Sequence, residues 1–293
     1  MYMYMRYPGG KYKAVTFSYD DGFRTDIRLA QPLDKYGLKG TFNINNGYIS
    51  EDPEGKWMTA DDIRTHILDK GHEVANHGHH HWSVCSHRPI EALRDMLRCR
   101  LELEEKFGGF IRGMATPDNG LDRFDNGSDI ESFKALMRGL DLAYCRTSTL
   151  ANTDFKLPQD FWFWAPTIRH ADPNVKDCIA KFKALTESKQ YISETHPRLF
   201  FLWGHSWEFK KFDNWELLEE ICRELSGMED TWYATNMEIY EYTQAYNSLV
   251  YSADSLRVYN PTRTDVWFFR DRVTYCVKAG ETITLPPPAP VCK

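Results

Sequence analysis

Lys13-Ala14-Val15-Thr16-Phe17-Ser18-Tyr19 runs directly into Asp20-Asp21-Gly22. β-Branched and aromatic residues fill most of the first seven positions and acidic turn residues follow, so the stretch reads as a strand emptying into a loop. The same pattern returns along the chain. A helix is expected through residue 36 and a strand over 40–45. The next helix runs to residue 70, opened by a capping box of Thr59 and Asp62 and ended by Gly71. Residues 72–76 read as a third strand, 89–107 as a long helix with Pro89 at its first position, and 111–116 as a fourth strand. Ser128 and Glu131 form the pattern of a second capping box before a helix to 139. A strand over 140–147, a helix over 174–189, an apolar strand over 198–203, a helix over 215–225 and a short strand near Trp232 complete the series.

Strand and helix thus alternate about seven times, which favours a parallel sheet. No glycine-rich dinucleotide fingerprint follows the first strand, so a barrel is preferred to a doubly wound fold. After Asn247 the character changes to short strands over 255–259, 265–269 and 273–285, followed by a proline-rich tail over 286–290. The expected organisation is a barrel over 1–247 with a small C-terminal β extension and tail over 248–293.

Composition excludes several classes of protein. Of 293 residues, 42% are hydrophobic and 27% charged, which provides a large core and argues against wholesale disorder. With 36 basic against 42 acidic residues the net charge is −6, and no basic run offers a footprint for nucleic acid. No stretch approaches the roughly 18 apolar residues of a membrane span, and residues 1–13 lack the apolar heart of a signal peptide. A soluble, cytoplasmic protein is expected. The seven cysteines include no C-x-x-C pair and fit buried thiols in a reducing compartment. Assembly into a homo-oligomer is left open.

The richest chemistry lies at Asn76-His77-Gly78-His79-His80-His81. Four histidines in five residues suggest a metal site, because neutral imidazole is a common zinc ligand and His77 and His81 would share one face of a helix. For His79 and His80 individually, a solvated role is the simpler reading. Asp20 and Asp21, paired at a strand end, are the best placed acids to complete the site. One would serve as ligand and the other as general base, leaving an open position for water. His205, at the C-terminal end of the apolar strand over 198–203, is placed where α/β barrels keep catalytic groups and can donate a proton to a leaving group.

Thr16-Phe17-Ser18-Tyr19-Asp20-Asp21-Gly22, His77 to His81 and Leu202-Trp203-Gly204-His205 resemble the first, second and fifth motifs of the polysaccharide deacetylase family, carbohydrate esterase family 4. The resemblance extends over about residues 13–245. It implies a distorted (β/α)7 barrel and one divalent metal ion, most often zinc, used in hydrolysing an acetyl group from a sugar. By position it places the base on Asp20, the metal ligands on Asp21, His77 and His81, and the general acid on His205.

Two motifs depart from the pattern. The third is typically R-x-P-x-G, whereas this chain has Ala115-Thr116-Pro117-Asp118-Asn119-Gly120, without the arginine that steadies the base. The fourth usually supplies an aspartate near a tryptophan, and the strand end here reads Tyr144-Cys145-Arg146-Thr147. Arg146 is therefore expected to replace the missing guanidinium by forking onto Asp20. Pro117 and Asp118 are expected at the substrate, with a backbone N–H of their loop holding the oxyanion. Trp82, Trp164, Trp203 and Trp207 are candidate sugar platforms.

The expected activity is metal-dependent removal of acetyl groups from an N-acetylated sugar or oligosaccharide. A metal-dependent hydrolase of a small cyclic imide or ureide is the alternative that the missing arginine favours. A non-catalytic carbohydrate-binding protein is the alternative from another class.

Overall fold

The structure, a computed structural model, describes residues 3–118, 120–148, 151–187 and 195–287. The strand Lys13–Asp21 lies inside the main sheet, with Gly40–Ile44 parallel on one side and Arg198–Gly204 parallel on the other. Eight of its nine residues are buried, as expected of an inner parallel strand covered on both faces. Outward from Gly40–Ile44 follow Glu73–Asn76, Gly113–Ala115 and Tyr144–Arg146, and beyond Arg198–Gly204 lies Ile168–Arg169. The short strand Thr231–Tyr233 pairs with the first residues of Lys13–Asp21.

The segment 164–169 links the two edges of this sheet. Trp164 donates its N–H to Cys145 O at 3.0 Å, Thr147 donates to Trp164 O at 3.0 Å, and Ile168 and Arg169 pair with Leu202 and Trp203. The sheet is therefore curled into the distorted (β/α)7 barrel that was expected, with helices packed outside it. Parallel pairing brings the strand ends Asp21, Ile44, Asn76, Ala115, Arg146, Arg169 and Gly204 to one rim. That rim is where barrels of this class carry their chemistry.

Several elements differ from the sequence reading. The cap expected at Ser128 lies one residue later, where Asp129 accepts from Ser132 N at 2.7 Å and starts Ile130–Gly139. The strand expected over 140–147 shrinks to Tyr144–Arg146, because Leu140 still caps the preceding helix and Asp141 takes a left-handed turn at φ 45°. The helix expected to reach 189 is Val175–Ala184, since Leu185 is extended; residues 188 and 189 lie outside the described residues.

Elements that were not anticipated include the strands Met3–Arg6, Ile168–Arg169 and Val250–Tyr251 and the helices Ser206–Lys211 and Asn236–Asn247. The buried stripe of the last includes Asn236 and Thr243, which interrupts its apolar period.

The C-terminal region forms two small antiparallel sheets. Val266–Arg270 pairs with Val273–Val277 and, on its other edge, with Met3–Arg6. Arg257–Tyr259 lies between Val250–Tyr251 and Thr282–Thr284. The single strand expected over 273–285 is thus two, separated by a turn in which Gly280 has φ 73°. The proline-rich tail lies outside the described residues from 288 onward.

Cys85, Cys99, Cys145, Cys178 and Cys222 are buried free thiols, Cys276 is half-buried, and Cys292 lies outside the described residues. Among the described residues, no helix is long and apolar enough to cross a membrane.

Candidate active site

Consecutive strand residues ordinarily face opposite sides of a sheet. Asp21 escapes this alternation through a left-handed backbone at φ 84°, continued by Gly22 at φ 82°. Both carboxylates of the pair can therefore reach one group of side chains at the rim.

The histidine segment is not the helix that the spacing suggested; residues 77–81 form a loop after Glu73–Asn76. Gly78 at φ 78° and His81 at φ 60° bend it. A Cβ at Gly78 would sit 2.7 Å from Asp95 Oδ2, so a side chain there would displace the carboxylate that holds the loop. Asp95 accepts the N–H groups of His79 at 2.9 Å and His80 at 3.1 Å, and its Oδ1 lies 2.6 Å from His80 Nδ1. His79 turns to Asn46, with Nδ1 3.0 Å from Oδ1. His77 and His81 are left facing each other, with ring centroids 4.9 Å apart.

Asp21 Oδ1 lies 3.6 Å from His77 Nε2 and 3.3 Å from His81 Nε2, and one ligand atom from each of the three residues falls within 4.8 Å of the others. Ligand atoms at about 2.1 Å from a tetrahedral zinc stand roughly 3.4 Å apart, so the three fit such an ion. His77 Nδ1 is 2.9 Å from Ala115 O, which fixes the proton on that nitrogen and leaves Nε2 free to coordinate. Burial, outweighing the nearby aspartates, holds His77 down at about 4, in the neutral form a ligand requires. Asp21 is held down at about 2, because the hydrogen bond from His81 and the charges of His77 and His205 overcome the upward push of burial. Asp118 Oδ1 lies 3.4 Å from His81 Nδ1, on the side away from Asp21.

Asp20 is 2% exposed. Its Oδ1 accepts from Asn43 Nδ2 at 2.8 Å and from Arg146 Nη2 at 2.6 Å, and the same Arg146 nitrogen also contacts Oδ2. Arg146 bridges the carboxylate with one nitrogen rather than with a two-nitrogen fork, while its Cζ lies 4.6 Å from the Trp203 ring centroid. Burial alone would raise the Asp20 carboxyl, but Arg146, then His77 and His205, bring it below the ordinary range. His205 Nε2 lies 3.9 Å from Asp20 Oδ2. The rim thus gathers three groups able to hold a metal ion, a carboxylate kept ionised, and an imidazole opposite it.

Residues 7–123 match the polysaccharide deacetylase family model. Asp20, Asp21, His77 and His81 all fall inside that match. A Mycobacterium smegmatis protein assigned to the polysaccharide deacetylases shares the fold, with a TM-score of 0.56, 18% identity, and 82% of this chain and 93% of that chain covered. A family 4 acetyl xylan esterase from Clostridium thermocellum, solved with a cobalt ion, gives 0.51 at 16% identity, covering 79% and 92%. A mutant of the Bacillus subtilis peptidoglycan deacetylase PdaC gives 0.51 at 16%, covering 83% and 96%. No curated protein sequence is significantly similar to the chain.

Among the residues expected at the substrate, Trp164 lies elsewhere. It is fully buried, packed edge-on against Tyr144, Phe161 and Phe201, and belongs to the core. Trp203 is half-buried beneath Arg146 and Arg169, and Trp207 is half-buried with its ring 5.5 Å from His205. Trp82 is exposed at 37% and lies between the rings of His80 and His87, at 4.6 and 4.8 Å. Pro117 is buried and Asp118 exposed, while Asn119 of the same loop lies outside the described residues.

The sequence reading missed Phe23 and Trp57, whose rings stand 4.2 Å apart and continue the row from His205 through Trp207. Trp57 had a signal: it is a lone aromatic after the polar stretch Glu51-Asp52-Pro53-Glu54-Gly55-Lys56. Trp203 also lines a cleft of about 710 Å³ together with Arg169, Thr153, Asp172 and Lys181.

Proposed function

We propose that the protein is a metal-dependent hydrolase that removes acetyl groups from an N-acetylated sugar or oligosaccharide. The observation that carries this reading is the spacing of Asp21, His77 and His81 beside a buried Asp20 that is paired with Arg146. Asp21, His77 and His81 would hold one divalent ion, and the mixed oxygen and nitrogen donors suit zinc. A bound ion there supplies Lewis acidity, polarising a carbonyl and lowering the pKa of water toward ~7.

Asp20 accepts the proton of the attacking water, for which it must be ionised. The water oxygen bonds to the acetyl carbon, and the C–N bond then breaks with its electron pair going to nitrogen. His205, across the site from Asp20, delivers a proton to that nitrogen. Trp82, Trp203 and Trp207, with Phe23 and Trp57, offer apolar faces to sugar rings, and Pro117 and Asp118 border the acetyl group. The acetyl xylan esterase and peptidoglycan deacetylase of the same fold support an acetylated polysaccharide as the substrate class.

The missing third-motif arginine was the feature that favoured a small cyclic imide or ureide. With Arg146 on Asp20, a guanidinium accompanies the base from a different strand, so that feature no longer distinguishes the two substrates.

Acetate release tests the reading. N-acetylated chitooligosaccharides are expected to be turned over faster than O-acetylated xylan or hydantoin. Turnover of hydantoin without acetate release from any sugar would select the alternative, and sugar binding without any turnover would select a binding protein.

Arg146→Met is a second test. An opposite charge within ~4 to 6 Å commonly lowers a carboxyl pKa by about one to three units, so its loss raises Asp20. A base works above its pKa, and the acidic limb of the kcat/KM profile should therefore move to higher pH with metal content unchanged. An unmoved limb would show that Arg146 does not govern the base.

A further inference from the structure

His205 has two faces. Its Nε2 looks toward Asp20, and its Nδ1 looks the other way, where Glu208 Oε2 lies 3.5 Å distant. Glu208 is the third residue of Ser206–Lys211, the short helix that starts directly after His205, and its N–H donates to His205 O at 3.2 Å. One helical turn therefore carries the carboxylate back over the imidazole.

Glu208 is only 5% exposed, and its Oε2 accepts no hydrogen bond among the described residues, although its Oε1 accepts from Arg169 Nη2. An ionised, buried oxygen without a donor is costly, and two imidazole nitrogens stand near enough to supply one, His170 Nε2 at 3.4 Å and His205 Nδ1 at 3.5 Å, of which only His205 also faces Asp20. The charge on Glu208 is secured by its surroundings: burial pushes the carboxyl up, but His205, Arg169 and His170 bring it below the ordinary range.

The other groups around this pair are accounted for. His170 Nε2 lies 3.4 Å from Glu208 Oε2, and burial holds His170 down at about 4, so it is neutral at working pH. It is packed between Tyr19 and Phe209, and a Cβ at Gly204 would come within 1.9 Å of its Nδ1, so this approach requires glycine. Arg169 Nη2 lies 3.4 Å from His205 Nδ1 and sets a cation against that nitrogen, with Asp20 on the far side.

We propose that Glu208 positions His205, taking the hydrogen bond from its protonated Nδ1 so that Nε2–H is aimed at the leaving nitrogen. The inference rests on the reading of His205 as the proton donor. When Nε2 gives its proton to the departing nitrogen, the imidazolium becomes neutral imidazole and keeps Nδ1–H toward Glu208. Glu208 itself neither gains nor loses a proton.

The test compares two probes, an N-acetylated chitooligosaccharide, whose nitrogen must be protonated to leave, and 4-nitrophenyl acetate, whose phenolate leaves without a proton. Glu208→Gln is expected to lower kcat on the amide by roughly 10- to 100-fold at unchanged KM, while changing the ester rate by less than about 3-fold. Removing the carboxylate charge disfavours the imidazolium, so the basic limb of the amide pH profile should move down by about one unit. Glu208→Asp keeps the charge and should return the limb and part of kcat. If Glu208→Gln does not fold, Glu208→Asp still carries the comparison of amide with ester.

Equal losses on amide and ester, or an unmoved basic limb, would overturn the proposal, because a merely structural residue behaves in that way. His205→Ala losing the amide rate while Glu208→Gln retains it overturns this inference alone. His205→Ala retaining the amide rate overturns both the inference and the reading beneath it.

Discussion

Asp20→Asn is expected to keep its metal and to lose about 10² to 10⁴ in kcat, the usual share of general base catalysis. The side chain keeps its shape, and the amide oxygen can still accept from Arg146 Nη2, now 2.6 Å from Asp20 Oδ1. It no longer takes a proton from water. The substitution also strands Arg146, which is fully buried and counts Asp20 as its only carboxylate among the described residues. Breaking a buried ion pair by removing one partner commonly costs ~3 to 5 kcal/mol, so a lower melting temperature should accompany the loss of rate. Metal analysis and a melting curve on the same preparation separate the two effects. Loss of the metal with Asp20→Asn, and its retention with Asp21→Asn, would show that the two aspartates exchange roles.

The second large effect concerns the ligands. His77→Ala and His81→Ala should each lower metal affinity by more than the roughly 10- to 100-fold typical of second-shell changes, since each removes a direct donor. His77 should cost more. It is 1% exposed and its ring is locked through Nδ1 to Ala115 O, so the site contains it preorganised, whereas His81 is half-buried and sits on a left-handed residue. Elemental analysis after dialysis reads the outcome. Full occupancy in both variants would remove these histidines from the metal.

Much of this was legible in the chain because the governing contacts are local. The run Lys13 to Tyr19 needs only its own β-branched and aromatic content to be a strand, and the capping box at Thr59 and Asp62 is complete within four residues. The pairing of Asp20 with Arg146 spans 126 positions, yet it was expected, because the resemblance lacks its third-motif arginine here and a base still needs a cation to stay ionised.

What failed depends on partners distant in sequence. The histidine segment is a loop because Asp95, on the following helix, collects the N–H groups of His79 and His80, and no helical spacing reveals that. Trp164 is core rather than a platform because Phe161 and Phe201 enclose it, and a tryptophan near a barrel mouth looks the same in sequence either way. Met3–Arg6 is a strand only because Val266–Arg270 lies beside it. Glu208 could have been found, since a carboxylate three residues after His205 on a helix returns to it, but the helix itself was not anticipated.

The most direct measurement is acetate release from an N-acetylated chitooligosaccharide by protein stripped of metal with a chelator and then titrated with zinc. The account predicts negligible release from the stripped protein and a rate that rises linearly to a plateau at one ion per chain, with Asp20→Asn binding the same one ion and remaining slow. Full acetate release from metal-free protein, or none at any zinc loading, would contradict it.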